Sequence, residues 1–118
     1  MSEEIQAKAF IEALDKLRQL FPTKPKTWFE EVKRRFLETE FIGYDEKGYK
    51  KFKVLKNLKL GDNYKANYRV VTLGEWNFHF CTCMFGKFGE HRKKEVCTHI
   101  GAAYLRHFYN ELLRRNKK

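Results

Sequence analysis

Every thiol of this 118-residue chain lies within nineteen positions, as Cys81-Thr82-Cys83 and then, after thirteen residues, Cys97-Thr98-His99. Two short clusters at one-residue spacing, closed by a histidine, supply three sulfurs and one imidazole. That donor set fills a tetrahedral zinc site and leaves no position for water, the mark of a structural rather than a catalytic ion. The demand on the fold is severe, because two separate segments must converge on one point. In a strand, residues i and i+2 share a face, so a strand presents Cys81 and Cys83 together. On a helix the same spacing puts two side chains about 200° apart, so Cys97 and His99 cannot both reach one ion from mid-helix. Cys97 is therefore expected in a loop and His99 in the first turn of a helix, with Thr98 as its N-cap. The expected cofactor is a single structural Zn²⁺ joining a β-hairpin to the closing helix.

The chain has material for a core besides the metal. It is 42% hydrophobic and includes eleven Phe, and a chain of this length buries roughly two-thirds of its unfolded surface. One domain over residues 1–118 is expected, with a helical part at 1–39 and a basic β/zinc-finger part at 40–118. The odd thiol count and the metal-like spacing point to a reducing compartment, hence an intracellular protein, cytoplasmic or in the nucleoid or nucleus. The start Met1-Ser2-Glu3-Glu4 lacks the basic and apolar regions of a signal peptide. No apolar run approaches the ~20 residues of a membrane span, so no membrane partner is expected.

Charge is unevenly placed. The formal net charge is +10, yet residues 1–46 hold 8 Lys/Arg against 10 Asp/Glu, whereas residues 47–118 hold 17 against 5. A basic field confined to the cysteine-bearing part is a footprint for a polyanion, and most often for nucleic acid. The candidate contacts are Lys50, Lys51, Lys53, Lys65, Arg69, Lys87, Arg92, Lys93, Lys94, Arg106 and Arg114. Phosphate contacts of this kind give salt-dependent affinity without sequence choice. Tyr44, Tyr49, Tyr64 and Phe85 are candidates for stacking on single-stranded bases.

Periodicity predicts an α+β fold. Phe10, Leu14, Leu17 and Phe21 recur at helical spacing, predicting a helix from Ser2 to about Leu20 that Pro22 and Pro25 terminate. Thr27 and Glu30 fit a capping box that opens a second helix from Trp28 to about Glu38, with Phe29, Val32 and Phe36 inward. Strands are expected at Phe41–Tyr44, in the Lys-rich stretch Tyr49–Leu60, and in a hairpin starting at Tyr64 and returning from Trp76 to Cys83. Gly74-Glu75 suits a two-residue type II′ turn between the hairpin strands. Met84–Val96 reads as a loop. The last helix is expected from Thr98 or His99 to about Arg115, with Ile100, Ala103, Tyr104, Phe108 and Leu112 inside. Arg106, Asn110, Arg114 and Lys117 form its expected basic outer stripe.

The order CxC, spacer, CxH, laid out as strand, loop and helix, resembles the SWIM zinc finger over about residues 64–109, with Ile100 and the small residues Gly101, Ala102 and Ala103 after the histidine. The resemblance implies Cys81, Cys83, Cys97 and His99 as the zinc ligands. It also implies DNA binding, favoured over RNA, or protein contact, or both. Thr98 departs from the family, which commonly has a basic residue there. Small stand-alone members resemble partners of recombinase paralogues, so a recombinase-like protein docking on the nearly neutral N-terminal helices is the alternative reading. His79 is expected beside the metal, His91 in solvent and His107 half-buried, none as a ligand. No enzyme is expected: zinc occupies the Cys97/His99 pair, and no Ser–His–Asp set, phosphate loop or carboxylate pair stands out.

Overall fold

The first helix, α1 (Glu3–Leu20), starts where Ser2 turns its hydroxyl back to accept the Ile5 amide at 3.2 Å. Glu3 and Glu4 in its first turn offset the positive helix end. This computed structural model describes residues 2–62, 64–75, 78–82 and 96–116. The second helix, α2 (Lys26–Phe36), begins earlier than expected. Pro25 stands at its N-cap, and the Pro25 carbonyl accepts the Trp28 and Phe29 amides. Thr27 therefore falls inside the first turn, and the capping box read from the sequence is not the start of the helix. Proline's locked φ, here −73°, already suits the entry to a helix.

Four strands follow in an antiparallel meander of order β1-β2-β3-β4: β1 (Thr39–Tyr44), β2 (Lys50–Leu55), β3 (Tyr68–Leu73) and β4 (His79–Cys81). The β1–β2 turn forms because the Asp45 carboxylate accepts the amides of Lys47 and Tyr49, both at 2.9 Å, and Gly48 takes φ +84°. Two strand expectations need correction. The Lys-rich strand ends at Leu55, after which Asn57 caps a single 3-10 turn, Leu58–Leu60, that leaves Leu58 exposed. The hairpin strand begins at Tyr68 rather than Tyr64.

The β3–β4 connection also differs from the two-residue turn. Leu73 pairs with His79, so five positions separate the strands. Gly74 donates to the Phe78 carbonyl at 2.9 Å, and Phe78 donates to the Glu75 carbonyl at 3.0 Å. A Cβ on Gly74 would stand 2.9 Å from the Phe78 ring and 3.2 Å from that of Tyr49. Close packing against two rings, not a positive φ, explains the glycine.

The closing helix, α3 (Thr98–Asn116), lies across all four strands on one side of the sheet. Its other side carries α1 and α2, which bury Ala9, Ala13, Leu14 and Leu17, and Phe29, Val32 and Phe36. The two N-terminal helices are thus a cap on α3. One core runs through all layers, with Phe52, Val54 and Val71 from the sheet meeting Ile100, Ala103 and Leu105 from α3. The architecture is α+β. Among the described residues no helix is long and apolar enough to cross a membrane.

The α2–α3 crossing depends on Gly101. A Cβ there would lie 2.6 Å from Val32 Cγ2 and 2.7 Å from the Trp28 ring. Gly101→Ala gains up to ~1 kcal/mol of helix propensity, against roughly 1–3 kcal/mol for overpacking. We expect a net loss of about 1 kcal/mol, read as a lowered urea midpoint; a midpoint at or above wild type would refute the close crossing.

Candidate metal centre

Cys81 reaches the interior because β4 pairs it with Val71, whose side chain is in the core, and directly paired residues share a face. Cys81 is fully buried. Cys97 immediately precedes α3, and its carbonyl accepts the Gly101 amide at 3.1 Å, so Cys97 holds the N-cap position. Thr98, expected there, is the first helical residue instead. His99 stands in the first turn and is 5% exposed. The donor atoms of Cys81, Cys97 and His99 all lie within 4.8 Å of one another. Donors around a tetrahedral zinc sit roughly 3.5–3.8 Å apart, given Zn–S of ~2.3 Å and Zn–N of ~2.0 Å.

Both ring nitrogens of His99 are buried and find no hydrogen-bond partner among the described residues. An unsatisfied buried polar group costs about 1–3 kcal/mol. A metal bonded to one nitrogen removes that penalty for it, and two cysteines beside it complete a donor set suited to a soft or borderline ion. The cluster can therefore hold a metal ion. Cys83, the fourth expected ligand, lies outside the described residues, as do Lys87, His91, Arg92, Lys93, Lys94 and Lys117.

A buried ion pair supports the cluster from behind. Arg35, 3% exposed on α2, donates to both Asp62 carboxylate oxygens at 2.7 and 2.8 Å. Its Nε–H donates to Thr98 Oγ1 at 2.9 Å, one residue from His99. Asp62 also accepts the Asn57 amide at 2.9 Å. Burial works against the Asp62 carboxylate, but the Arg35 and Asn57 hydrogen bonds and the Arg35 charge outweigh it and hold its pKa below the usual range. Burial likewise works against the Arg35 charge, and Asp62 overcomes it. One side chain thus ties α2, the turn after β2 and the start of α3 into a fixed arrangement. Sequence reading missed Arg35 and Asp62. The available signal was Arg35's place seven residues after Trp28 and three after Val32, on the apolar stripe of α2, where a charge needs a buried partner.

His79 shares the face of Cys81, as expected. Its Nδ1 lies 3.1 Å from the Tyr104 hydroxyl, and its ring meets Phe21 edge-on. Burial pushes the Tyr104 phenol up to about 12, so it stays protonated. Tyr64, expected to be available for bases, instead sets its ring edge-on to His99 at 6.3 Å and under the Arg69 guanidinium at 3.8 Å.

The basic candidates divide into two groups. Arg106 does not belong to an outer stripe: it donates to the Phe36 and Thr39 carbonyls at 2.8 and 3.0 Å and stacks on Phe36 at 3.8 Å. An arginine near helix-end carbonyls satisfies acceptors that otherwise go unpaired, so this one clamps α3 to the α2–β1 junction. Arg69 is committed to Tyr64. Lys50 points toward α3, bonds Glu111 at 3.2 Å and lies 3.1 Å from Nδ1 of the half-buried His107. Lys51, Lys53, Lys65 and Arg114 remain toward solvent: Lys51 donates to Thr72, Lys53 lies over the Tyr68 ring at 4.8 Å, and Arg114 pairs with Glu111.

Fold and site together define the class: an α+β domain whose closing helix and last strand bring Cys81, Cys97 and His99 into a cluster able to hold a metal. No protein-family model, no curated protein and no solved structure matches the chain.

Proposed function

We propose that this chain is a non-catalytic, zinc-stapled nucleic-acid-binding protein of the SWIM-finger kind, acting on DNA. The carrying observation is the buried Cys81/Cys97/His99 cluster at the β4–α3 junction, within the part of the chain that holds 17 Lys/Arg against 5 acidic residues. The donor chemistry supports zinc, with Cys83 as the fourth ligand. Bound there, zinc would fix α3 against the sheet and so hold the basic surface in one shape. Lys51, Lys53 and Lys65 supply charge to that surface, and phosphates are the anions they would meet.

Filter binding of short DNA to the zinc-loaded protein tests this. A protein meeting about four phosphates of a duplex loses roughly a hundredfold in affinity between about 50 and 200 mM salt. A fall of that order is expected, with weaker dependence in a Lys51→Ala/Lys53→Ala variant. Absence of binding at the lower salt would sink the proposal.

A further inference from the structure

The three helices among the described residues lie on one side of the sheet, and among those residues its other side carries no helix. The pairing register says what that side presents. Phe52 with Val71, and Val71 with Cys81, face α3. The alternate set faces away: Lys51 opposite Thr72, Lys53 opposite Val70, Leu55 opposite Tyr68, and Phe80 opposite Thr72. On this side, or at its end, Tyr68 is 44% exposed and Phe78 49%. A hollow of about 520 Å³ opens between Phe78, Phe80, Tyr49, Tyr44 and Thr72. Lys47, Asp45 and Glu46 also line it, with the Asp45 carboxylate engaged by the turn amides.

We propose that this face binds single-stranded nucleic acid, with bases stacking on Tyr68 and in the Phe78–Phe80 hollow and phosphates meeting Lys51 and Lys53. The proposal rests on the nucleic-acid reading above and deepens it by naming the face and the strand state. A surface built only for an apolar protein partner has no need of lysines set among its rings. Alternating cations and π faces match a ligand that alternates phosphates and bases. The Lys53 ammonium already lies over the Tyr68 ring, so one position offers both a ring and a positive charge. Three acidic groups border this surface: Glu40, the register partner of Lys53 on edge strand β1, and Asp45 and Glu46 in the lining of the hollow. Strand spacing puts Tyr68 and Phe80 about 14 Å apart, room for several nucleotides. A duplex keeps its bases stacked internally and offers such a platform only phosphates.

Anisotropy titrations of the full zinc-loaded chain test this, using fluorescent oligo(dT) and oligo(U) of about 15 nucleotides and a duplex of equal length. Both single strands are expected to bind, at least about tenfold more tightly than the duplex. One lost stacked base corresponds to roughly 5- to 150-fold, so Tyr68→Leu should weaken single-strand binding by about tenfold and leave duplex binding unchanged. Tyr68→Phe, which keeps the ring, should bind as wild type. Phe78→Leu, also exposed, gives a second reading if Tyr68→Leu fails to fold by circular dichroism. Duplex binding equal to or tighter than single-strand binding, or no effect of either leucine variant, overturns the platform while leaving the nucleic-acid reading standing. Absence of any binding at low salt removes both.

Discussion

Stripping the metal with a chelator, or replacing Cys97 with Ser, is expected to cost this protein about 4 kcal/mol or more of stability. Structural zinc in small fingers contributes roughly 10–16 kcal/mol of apparent binding energy, and metal binding to a site absent from the unfolded chain is folding energy. This chain has a core of its own, so the loss should be partial. Ala9 and Leu17 on α1, Val32 on α2 and Leu105 on α3 remain buried without help from the ion. What collapses is the corner where Cys81, Cys97 and His99 meet, because the buried His99 nitrogen that would bond the ion is then left without a partner among the described residues. Urea denaturation with and without chelator, alongside elemental analysis, reads the effect. About one zinc per chain is expected, lost in Cys97→Ser. A purified protein that holds no metal yet unfolds at the same midpoint as a zinc-reconstituted sample would overturn the site.

Arg35→Met should cost about 3–5 kcal/mol, the penalty of leaving Asp62 buried without its cation. The same change releases Thr98, and the first turn of α3 that carries His99 loses its anchor. Outer supports of metal ligands are worth roughly 10–100-fold in metal affinity, so competition against a chromophoric chelator should show weakened binding in this range. The double change Arg35→Met/Asp62→Leu is expected to recover most of the stability, since a buried ion pair replaced by apolar side chains of similar volume is often neutral or better. It should not recover the metal affinity, because the Thr98 contact stays lost. If both quantities recover together, or neither falls in the single variant, Arg35 does not position the site.

Much of this architecture was legible along the chain. The α1 stripe and the buried face of α3 follow from apolar residues at helical spacing, and Phe52 and Val54 from strand alternation. Where readings failed, a purely local rule met a competitor. Thr27 and Glu30 satisfy the capping pattern, but the locked backbone of Pro25 begins α2 first. Tyr64 alternates like a strand residue, yet its ring is drawn to His99 and Arg69. Arg106 has the spacing of a solvent stripe, but it turns inward to donate to the carbonyls of Phe36 and Thr39.

The amino-acid sequence by itself determined the α+β class, the convergence of Cys81, Cys97 and His99, and the basic character of residues 47–118. These follow from residue type and short-range spacing, which the chain carries wherever it folds. Only the tertiary structure decided that Arg35 and Asp62, 27 residues apart, share one buried pair. It alone also showed that the described helices stack on a single side of the sheet and leave Tyr68 and Lys53 outward on the other. Both depend on which surfaces meet after folding, where desolvation forces every buried charge to find a partner and each strand to commit one face to the core.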